Sequence, residues 1–228
     1  MVTKVTSTVL SNSDSTANNS SYLGGTLAAS YALGSAVTTA NTAMKGYVDA
    51  VTTAWTANAA TQAGLIANST TTSGTVVTAP AGATVTFTGI PSWVKRIAVM
   101  FSGVSLSASV YPILRLGTAA GVSATGYLGA AQFCTNSGIA GIALTTGFVI
   151  YDNSPSLSDL HNGTITFTLL DSATNTWTAS GVITRSNNIT TSWIAGSVAL
   201  AGTLDRVQLT TVAGSATVDA GTINIIYD

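Results

Sequence analysis

Charged side chains are scarce in this chain of 228 residues. Lys and Arg together number seven, acidic residues number eight, and charged residues make up 7% of the sequence, against a usual share of about a quarter. The formal net charge of −1 gives the chain no electrostatic attraction to nucleic acid or to an anionic membrane surface. Disorder is excluded for most of the chain, because 46% of the residues are hydrophobic and the mean hydropathy is +0.45.

The sequence also has few groups for acid–base or nucleophilic chemistry. Every acidic residue is an Asp, and there is one His, His161, and one Cys, Cys134, which excludes an intrachain disulfide. A Cys–His pair could form a nucleophilic site, but neither surrounding sequence matches a catalytic signature. We therefore interpret Cys134 as an inert packed thiol and His161 as a solvated loop imidazole. No spacing typical of a zinc, phosphate or calcium site occurs, so we expect no metal and no cofactor.

Long apolar runs are missing as well. None approaches the roughly 20 residues that a helix needs to cross a bilayer, so no membrane insertion is expected. No basic segment followed by an apolar one resembles a secretory signal, which predicts that the chain is not exported by that route. The first 21 residues are rich in Ser, Thr and Asn, a composition typical of a linker or of an arm that becomes ordered against a partner. We assign residues 1–25 to an N-terminal arm or anchor.

Apolar residues recur at helical spacing in residues 26–70, a segment rich in Ala and without Pro. With Val37 at a heptad a position, most a and d positions are apolar or aromatic, in the register of a coiled-coil seam, and Asn58 is a polar a position. The residues predicted to form this oligomer interface, called the seam below, are Leu33, Val37, Met44, Tyr47, Val51 and Leu65.

Two interpretations of this helix are open. It could be a single amphipathic helix packed on its own domain, or a homo-oligomeric stem. Several Thr residues have mediocre helix propensity, and small or polar groups lie opposite the seam, so burial must come from a partner. The Ser/Thr/Gly run at residues 69–74 is typical of a junction, not of a tight turn. We favour the stem.

From Thr75 the apolar period switches to two, which indicates β-strands. About ten strands in residues 75–228, with no helical interval, predict an antiparallel β-sandwich of the jelly-roll kind. The fold class is therefore mainly β, with an N-terminal arm and helical stem before a β-sandwich tip. Alternation within the strands predicts a set of inward-facing residues. They are Phe87, Ile97, Val99, Phe101, Ile113, Val149, Phe167, Leu169, Val182, Val198, Leu200, Val207, Leu209, Ile223 and Ile225.

Several of these strand segments resemble a C-terminal domain common in bacteriophage tail-fibre and related virion proteins. The matching segments are Phe87-Thr-Gly-Ile-Pro-Ser-Trp-Val-Lys-Arg-Ile-Ala-Val-Met-Phe, Arg115-Leu-Gly-Thr, Gly126-Tyr-Leu-Gly, Gly196-Ser-Val-Ala-Leu-Ala-Gly-Thr-Leu-Asp-Arg-Val-Gln-Leu-Thr-Thr and Asp219-Ala-Gly-Thr-Ile-Asn-Ile-Ile-Tyr-Asp. The resemblance covers about residues 75–228. Upstream, Ser21-Tyr-Leu-Gly-Gly-Thr-Leu-Ala-Ala-Ser-Tyr-Ala-Leu is similar to short units that punctuate phage fibre shafts.

The resemblance implies a structural, trimeric virion protein, assembled in the bacterial cytoplasm, whose β-rich tip mediates host attachment. It implies no enzyme. The N-terminal arm would dock on another virion protein. A capsid decoration or head-fibre protein without a receptor-binding role is the alternative, and residues 1–25 do not separate the two. A depolymerase is disfavoured, because glycoside cleavage usually needs paired carboxylates and this chain has no Glu and few Asp.

Receptor binding is expected in loops at the free end of the sandwich. If each strand crosses the sandwich once, alternate connections share one end, namely about 79–83, 105–109, 134–138, 171–175 and 201–203. We predict that Asn136, Ser137, Asp171 and Asn175 contact a host cell-surface glycan, since amides and carboxylates bind hydroxyls well. Two alternatives stay open: turns favour these residue types for structural reasons, and one miscounted strand would place 152–162 and 186–192 at the free end instead.

Overall fold

The computed structural model describes residues 22–23, 26–78, 82–135, 137–152, 154–187 and 190–228, with side chains in the helix described for residues 35–66. Internal contacts divide the chain into two units, Met1–Leu65 and Ile66–Asp228. The second is called the β unit below. Two of the residues predicted to form sites are affected: Asn136 lies outside the described residues, and Leu33 lies outside the described side chains.

A long helix dominates the described part of the first unit. Strands β1 (Tyr22–Leu23) and β2 (Thr26–Leu27) pair antiparallel and precede helix α1 (Ala28–Ser69). Threonine is a mediocre helix former because its hydroxyl competes for backbone groups. In α1 that hydroxyl is satisfied within the helix, since Thr39, Thr42, Thr52, Thr53 and Thr56 each donate to the carbonyl four residues earlier. Every described side chain of α1 is exposed in the single chain.

The β unit is built from antiparallel strands, which confirms a mainly β fold with one described helix. Its strands are β3 (Thr72–Ser73), β4 (Val77–Thr78), β5 (Val85–Phe87), β6 (Arg96–Leu106), β7 (Pro112–Thr118), β8 (Gly121–Val122), β9 (Tyr127–Thr135), β10 (Gly138–Leu144), β11 (Phe148–Val149), β12 (His161–Asp171), β13 (Thr176–Arg185), β14 (Thr190–Ala199), β15 (Arg206–Thr211) and β16 (Val218–Tyr227).

These strands form two sheets that share one core. The larger sheet has the order β10-β9-β14-β13-β12-β6-β16-β3, with β4 also paired to β16. The smaller sheet has the order β11-β7-β15-β5, with β8 paired to β7. Side chains from both sheets, such as Ile97 and Phe167 from the larger and Ile113 and Val207 from the smaller, are fully buried in one apolar cluster. The arrangement is compatible with a β-sandwich.

The core largely follows the predicted inward positions, with one error of register. Of the predicted residues, Phe87 and Leu169 are partly buried and pack against the core. Val182 is wrong, because its side chain is 46% exposed. Trp177, Ala179 and Ile183 point inward instead, since alternate residues of β13 share a face. Because Val182 and Ile183 are adjacent and both apolar, they do not show which of the two faces the core. The buried Trp177, six residues before Ile183, does show it.

A pair of glycines makes room for an aromatic ring in the core. Gly196 of β14 pairs with Gly129 of β9, and the ring of Phe148 packs over them. A Cβ on Gly196 would lie 2.6 Å from the Cα of Gly129, 2.6 Å from the carbonyl oxygen of Leu128 and 3.1 Å from the Phe148 ring. Two of these three neighbours are backbone atoms, which cannot move aside without shifting a strand.

Gly196→Ala is therefore expected to lower the free energy of unfolding by about 1–3 kcal/mol, the usual cost of overpacking a core. Gly138→Ala is the matched control, because a Cβ there meets nothing within 4 Å. Urea unfolding of both variants measures the difference. Equal stability of the two would show that β9 and β14 do not approach as closely as described.

Candidate functional site at the far end of the β unit

The strand directions define two ends of the β unit. The chain enters the larger sheet at Thr72, which pairs with Tyr227, and Tyr227 in turn pairs with Ile97 near the start of β6. We call this the near end. The opposite end is called the far end. Because paired strands run antiparallel, it contains the connections β6–β7, β9–β10, β11–β12, β13–β14 and β15–β16.

The four predicted receptor-binding residues do not share an end. Ser137 lies in the β9–β10 turn at the far end, and Asn136 is outside the described residues. Asp171 and Asn175 flank the β12–β13 turn at the near end. The cause is β10, which sequence analysis did not predict: it adds one crossing after residue 137 and reverses every later assignment. The described residues of the alternative segments 152–162 and 186–192 accordingly lie at the far end.

Asp171 and Asn175 have structural roles in their turn. One carboxylate oxygen of Asp171 accepts a hydrogen bond from the backbone N–H of Ala173, and the other accepts one from the Thr174 hydroxyl, each at 2.8 Å. These bonds to the charged form hold the pKa of Asp171 below its ordinary value. Asn175 has a φ of 50°, in the left-handed region that Asn tolerates better than most residues. The preference of turns for Asp and Asn accounts for both positions.

A buried ionic cluster lies at the far end. The guanidinium of Arg185, at the end of β13, donates to a carboxylate oxygen of Asp159 at 2.8 Å and lies 3.5 Å from one of Asp152. Its other terminal nitrogen donates to the Thr190 hydroxyl at 2.9 Å. All four side chains are buried. Burial raises the pKa of Asp152, against the opposing effect of the Arg185 charge and with the support of the Asp159 carboxylate.

The cluster fixes two far-end loops to each other. Asp152 accepts from the N–H of Ser154, and Asp159 from the N–H of Ser156, both at 2.8 Å. Asn187, in the β13–β14 connection, accepts from the N–H of Leu160 at 3.2 Å and donates to the carbonyl of Ser158. The loop after β11 and the loop after β13 are thus held on one support. Loops positioned by such a support are where binding residues concentrate.

His161 belongs to the same region and corrects a prediction. It is a strand residue, 4% exposed, and its Nδ1 lies 2.9 Å from the carbonyl oxygen of Val104; the predicted solvated loop imidazole is wrong. Cys134 lies on β9, and strands β14 and β13 separate β9 from β12, a distance of about 14 Å at the usual strand spacing. The two side chains therefore form no nucleophilic pair.

Sequence reasoning missed the cluster for an identifiable reason. Arg185 was assigned no role, although it has the same parity in β13 as Trp177, Ala179 and Ile183. A charged residue in phase with inward apolar residues predicts a buried ion, which requires a partner of opposite charge. Asp152 and Asp159 sit in a loop, and nothing in their spacing indicates that both reach Arg185.

Burial gives His161 a defined effect on stability. Burial disfavours the charged imidazolium and so lowers the pKa of His161 below the ordinary 6.5. As the pH falls from about 7 to 5, the unfolded chain therefore takes up this proton before the folded one does, and the free energy of unfolding decreases. His161 is the single His of the sequence. In His161→Gln the decrease over this pH range should be smaller, because no imidazole is left to take up a proton on unfolding.

Urea unfolding at several pH values measures both slopes. The slope, not the absolute stability, is the readout, so a loss of the hydrogen bond to Val104 does not obscure it. An unchanged slope in His161→Gln would show that His161 is exposed or already charged in the folded protein.

Comparison with known proteins yields little. No protein-family profile and no curated protein sequence matches the chain. One solved structure with some likeness is a marine PL-14 alginate lyase from Aplysia kurodai, with 10% sequence identity and a TM-score of 0.24 over 60% of this chain and 70% of that one. A score this low bears on neither fold nor activity. Within the described residues, no helix is long and apolar enough to span a membrane, and no three His, Cys or acidic residues are grouped to hold a metal ion.

Proposed function

We propose that this chain is a structural fibre protein of a bacteriophage virion, and that its β unit attaches the particle to the host cell. In this proposal α1 forms a homotrimeric coiled-coil stem, residues 1–25 dock on another virion protein, and the far-end loops meet a cell-surface glycan. The chain acts without a cofactor and is not an enzyme. The sequence resemblance to phage tail-fibre domains supports each of these points.

The observation that carries the proposal is the uncovered seam of α1. In the single chain Val37 is 56% exposed, Met44 64%, Tyr47 71% and Leu65 57%, while Val51 is 36% exposed. A helix derives most of its stability from burying an apolar face, and here no described residue covers it. Val48 and Trp55 lie beside the seam and are exposed too, which widens the stripe beyond the two positions of a minimal coiled-coil contact. Other copies of the chain would supply the burial.

The far end supports a binding role. Among the described residues of its loops, the exposed ones carry no charge, because Asp152 and Asp159 are buried against Arg185. Hydroxyl and amide groups such as those of Ser137, Ser158 and Asn187 remain at the exposed positions. A glycan offers hydroxyls in place of charge, and these groups can both donate to and accept from it. The same burial argues against glycoside cleavage by these two carboxylates.

Clustered substitutions at the two ends test where attachment occurs. Replacing Asn136 and Ser137 with Ala, together with Ser158 and Asn187, is expected to reduce adsorption of phage to host cells. Replacing Asp171 and Asn175 at the near end is the matched control and should leave adsorption unchanged in particles that still assemble. If only the near-end variant reduced adsorption, the receptor contact would lie at the near end, which would contradict this proposal.

A further inference from the structure

The outer face of the larger sheet, which points away from the core, is ordered in rows by the strand pairing. One row contains the larger side chains. Proceeding across β9, β14, β13, β12 and β6, its cross-strand partners are Gln132, Trp193, Val182, Thr164 and Met100. The next row contains the smaller ones. In the same strands, its members are Ala130, Ala195, Ser180, Thr166 and Ala98.

This outer face is apolar enough to need an explanation. Trp193 is 47% exposed and Val182 46%, and the flanking Leu128 and Ile139 are 74% and 69% exposed. The charged side chains of this sheet lie at its margins: Arg96 and Asp228 pair with each other at the near-end corner, and Asp219 is exposed where β16 begins at the far end. The outer face of the smaller sheet differs, because Arg115 and Arg206 lie on it beside Gln208.

The dimensions match those of a protein interface. Six strands, β10 to β6, at about 4.8 Å spacing give a width of about 29 Å, and four rows at about 6.8 Å give about 27 Å. The product, about 800 Å², equals the area that each partner buries in a standard protein–protein contact. Because the two central rows carry no charged side chain, a second copy of the face can approach without placing like charges opposite each other there.

We propose that the outer face of the larger sheet packs against the same face of a second copy of this chain. A two-fold axis that lies in the contact, parallel to the rows and between them, places each residue of the first row over the residue of the second row in the same strand. The second residue is the smaller one in every strand except β12, where both are Thr. Trp193 then lies over Ala195 of the partner subunit, and Val182 lies over Ser180 of the partner subunit. The pattern of one large and one small row is thus self-complementary, as a two-fold contact requires.

This contact goes beyond the proposed function and is separate from the seam. A two-fold contact does not fit inside a three-fold stem, so it joins β units that belong to two different stems. When the three β units of one stem pair with those of one other stem, the assembly is closed and contains twice as many chains as one stem. Because the contact is independent of the particle, its failure would leave the proposed attachment role standing, and a failure of attachment would leave the contact standing.

Two Arg substitutions in the small row test the proposal in the full chain. Ala195→Arg with Ser180→Arg places charge in the contact, and the mass of the assembly, measured by light scattering, is expected to fall twofold. The control is Thr86→Arg, on the exposed outer face of the smaller sheet, which should leave the mass unchanged. An unchanged mass for the double variant, or a twofold fall in the control as well, would overturn the proposal.

Disulfide cross-linking gives a second readout that does not depend on the folding of the Arg variant. In chains with Cys134→Ser, Val182→Cys and Ser180→Cys are made separately and assembled as a mixture. Oxidation is expected to link the mixed chains and to link neither chain alone. The Val182→Cys thiol should also react with a bulky maleimide at least about tenfold more slowly than a Thr86→Cys thiol, the ratio that about 1.4 kcal/mol of protection gives. Equal rates without a cross-link would show that solvent, a glycan or another protein meets this face.

Discussion

Arg185→Met is expected to lower the free energy of unfolding of the β unit by about 3–5 kcal/mol, the cost of removing one partner from a buried ion pair. The guanidinium is 7% exposed and lies between the carboxylates of Asp152 and Asp159, which are themselves 3% and 5% exposed. Without it, two negative charges stay buried near each other with no counter-charge. The far-end loops would lose the support that joins them.

The matched control is Arg96→Met. Arg96 also pairs with an Asp, Asp228, but its side chain is 60% exposed, so the expected loss of stability is much smaller than for Arg185→Met. A second variant isolates the charge effect: Asp152→Asn and Asp159→Asn added to Arg185→Met should recover part of the stability. Urea unfolding measures all three variants. Equal losses for Arg185→Met and Arg96→Met would show that the cluster is open to water.

Charge in the seam is expected to abolish assembly of the stem. Met44→Asp combined with Val51→Asp places two carboxylates per chain at a positions, where a coiled coil would bury them at a cost of several kcal/mol per ion. Both side chains are exposed in the single chain, so the substitutions should leave the isolated helix little changed. The loss would appear as a threefold fall in assembly mass.

The control for the seam variant uses the opposite side of the same helix. Thr42→Asp with Thr56→Asp introduces the same charges at f positions, which face away from a coiled-coil contact. Sedimentation of both variants at micromolar concentration decides the question. Equal masses for the two variants, or a wild-type chain that is monomeric, would contradict the stem.

Most of the β fold was accessible from the sequence because alternation is strong where β-branched and aromatic residues dominate. Thr164 to Leu170 and Thr222 to Tyr227 are examples, and both are strands. The hairpin of β9 and β10 could not be predicted from the sequence. Strand β10, Gly138–Leu144, consists mostly of Gly and Ala, which have weak strand preference. Because this strand was not predicted, Asp171 and Asn175 were expected at the far end, although they lie at the near end of the sheet.

The far-end cluster illustrates a different obstacle. Asp152 follows β11 of the smaller sheet, and Asp159 precedes β12 of the larger sheet. Their approach to Arg185 is a consequence of tertiary structure that no local spacing records. His161 was misjudged for the same reason: a His-Asn-Gly sequence is typical of a turn, yet here it begins β12 and pairs with β6 and β13. The predicted seam and receptor contacts stay predictions.

A density map of the intact phage particle, with the β unit fitted into it, tests the central claim most directly. The account predicts three copies of α1 wound together, with their β units at the free end of a tail fibre and the far-end loops outermost. Density for this chain on the capsid surface would support a head-fibre or decoration protein instead. Purified particles that contain no such density, and no peptide of this chain by mass spectrometry, would contradict the account.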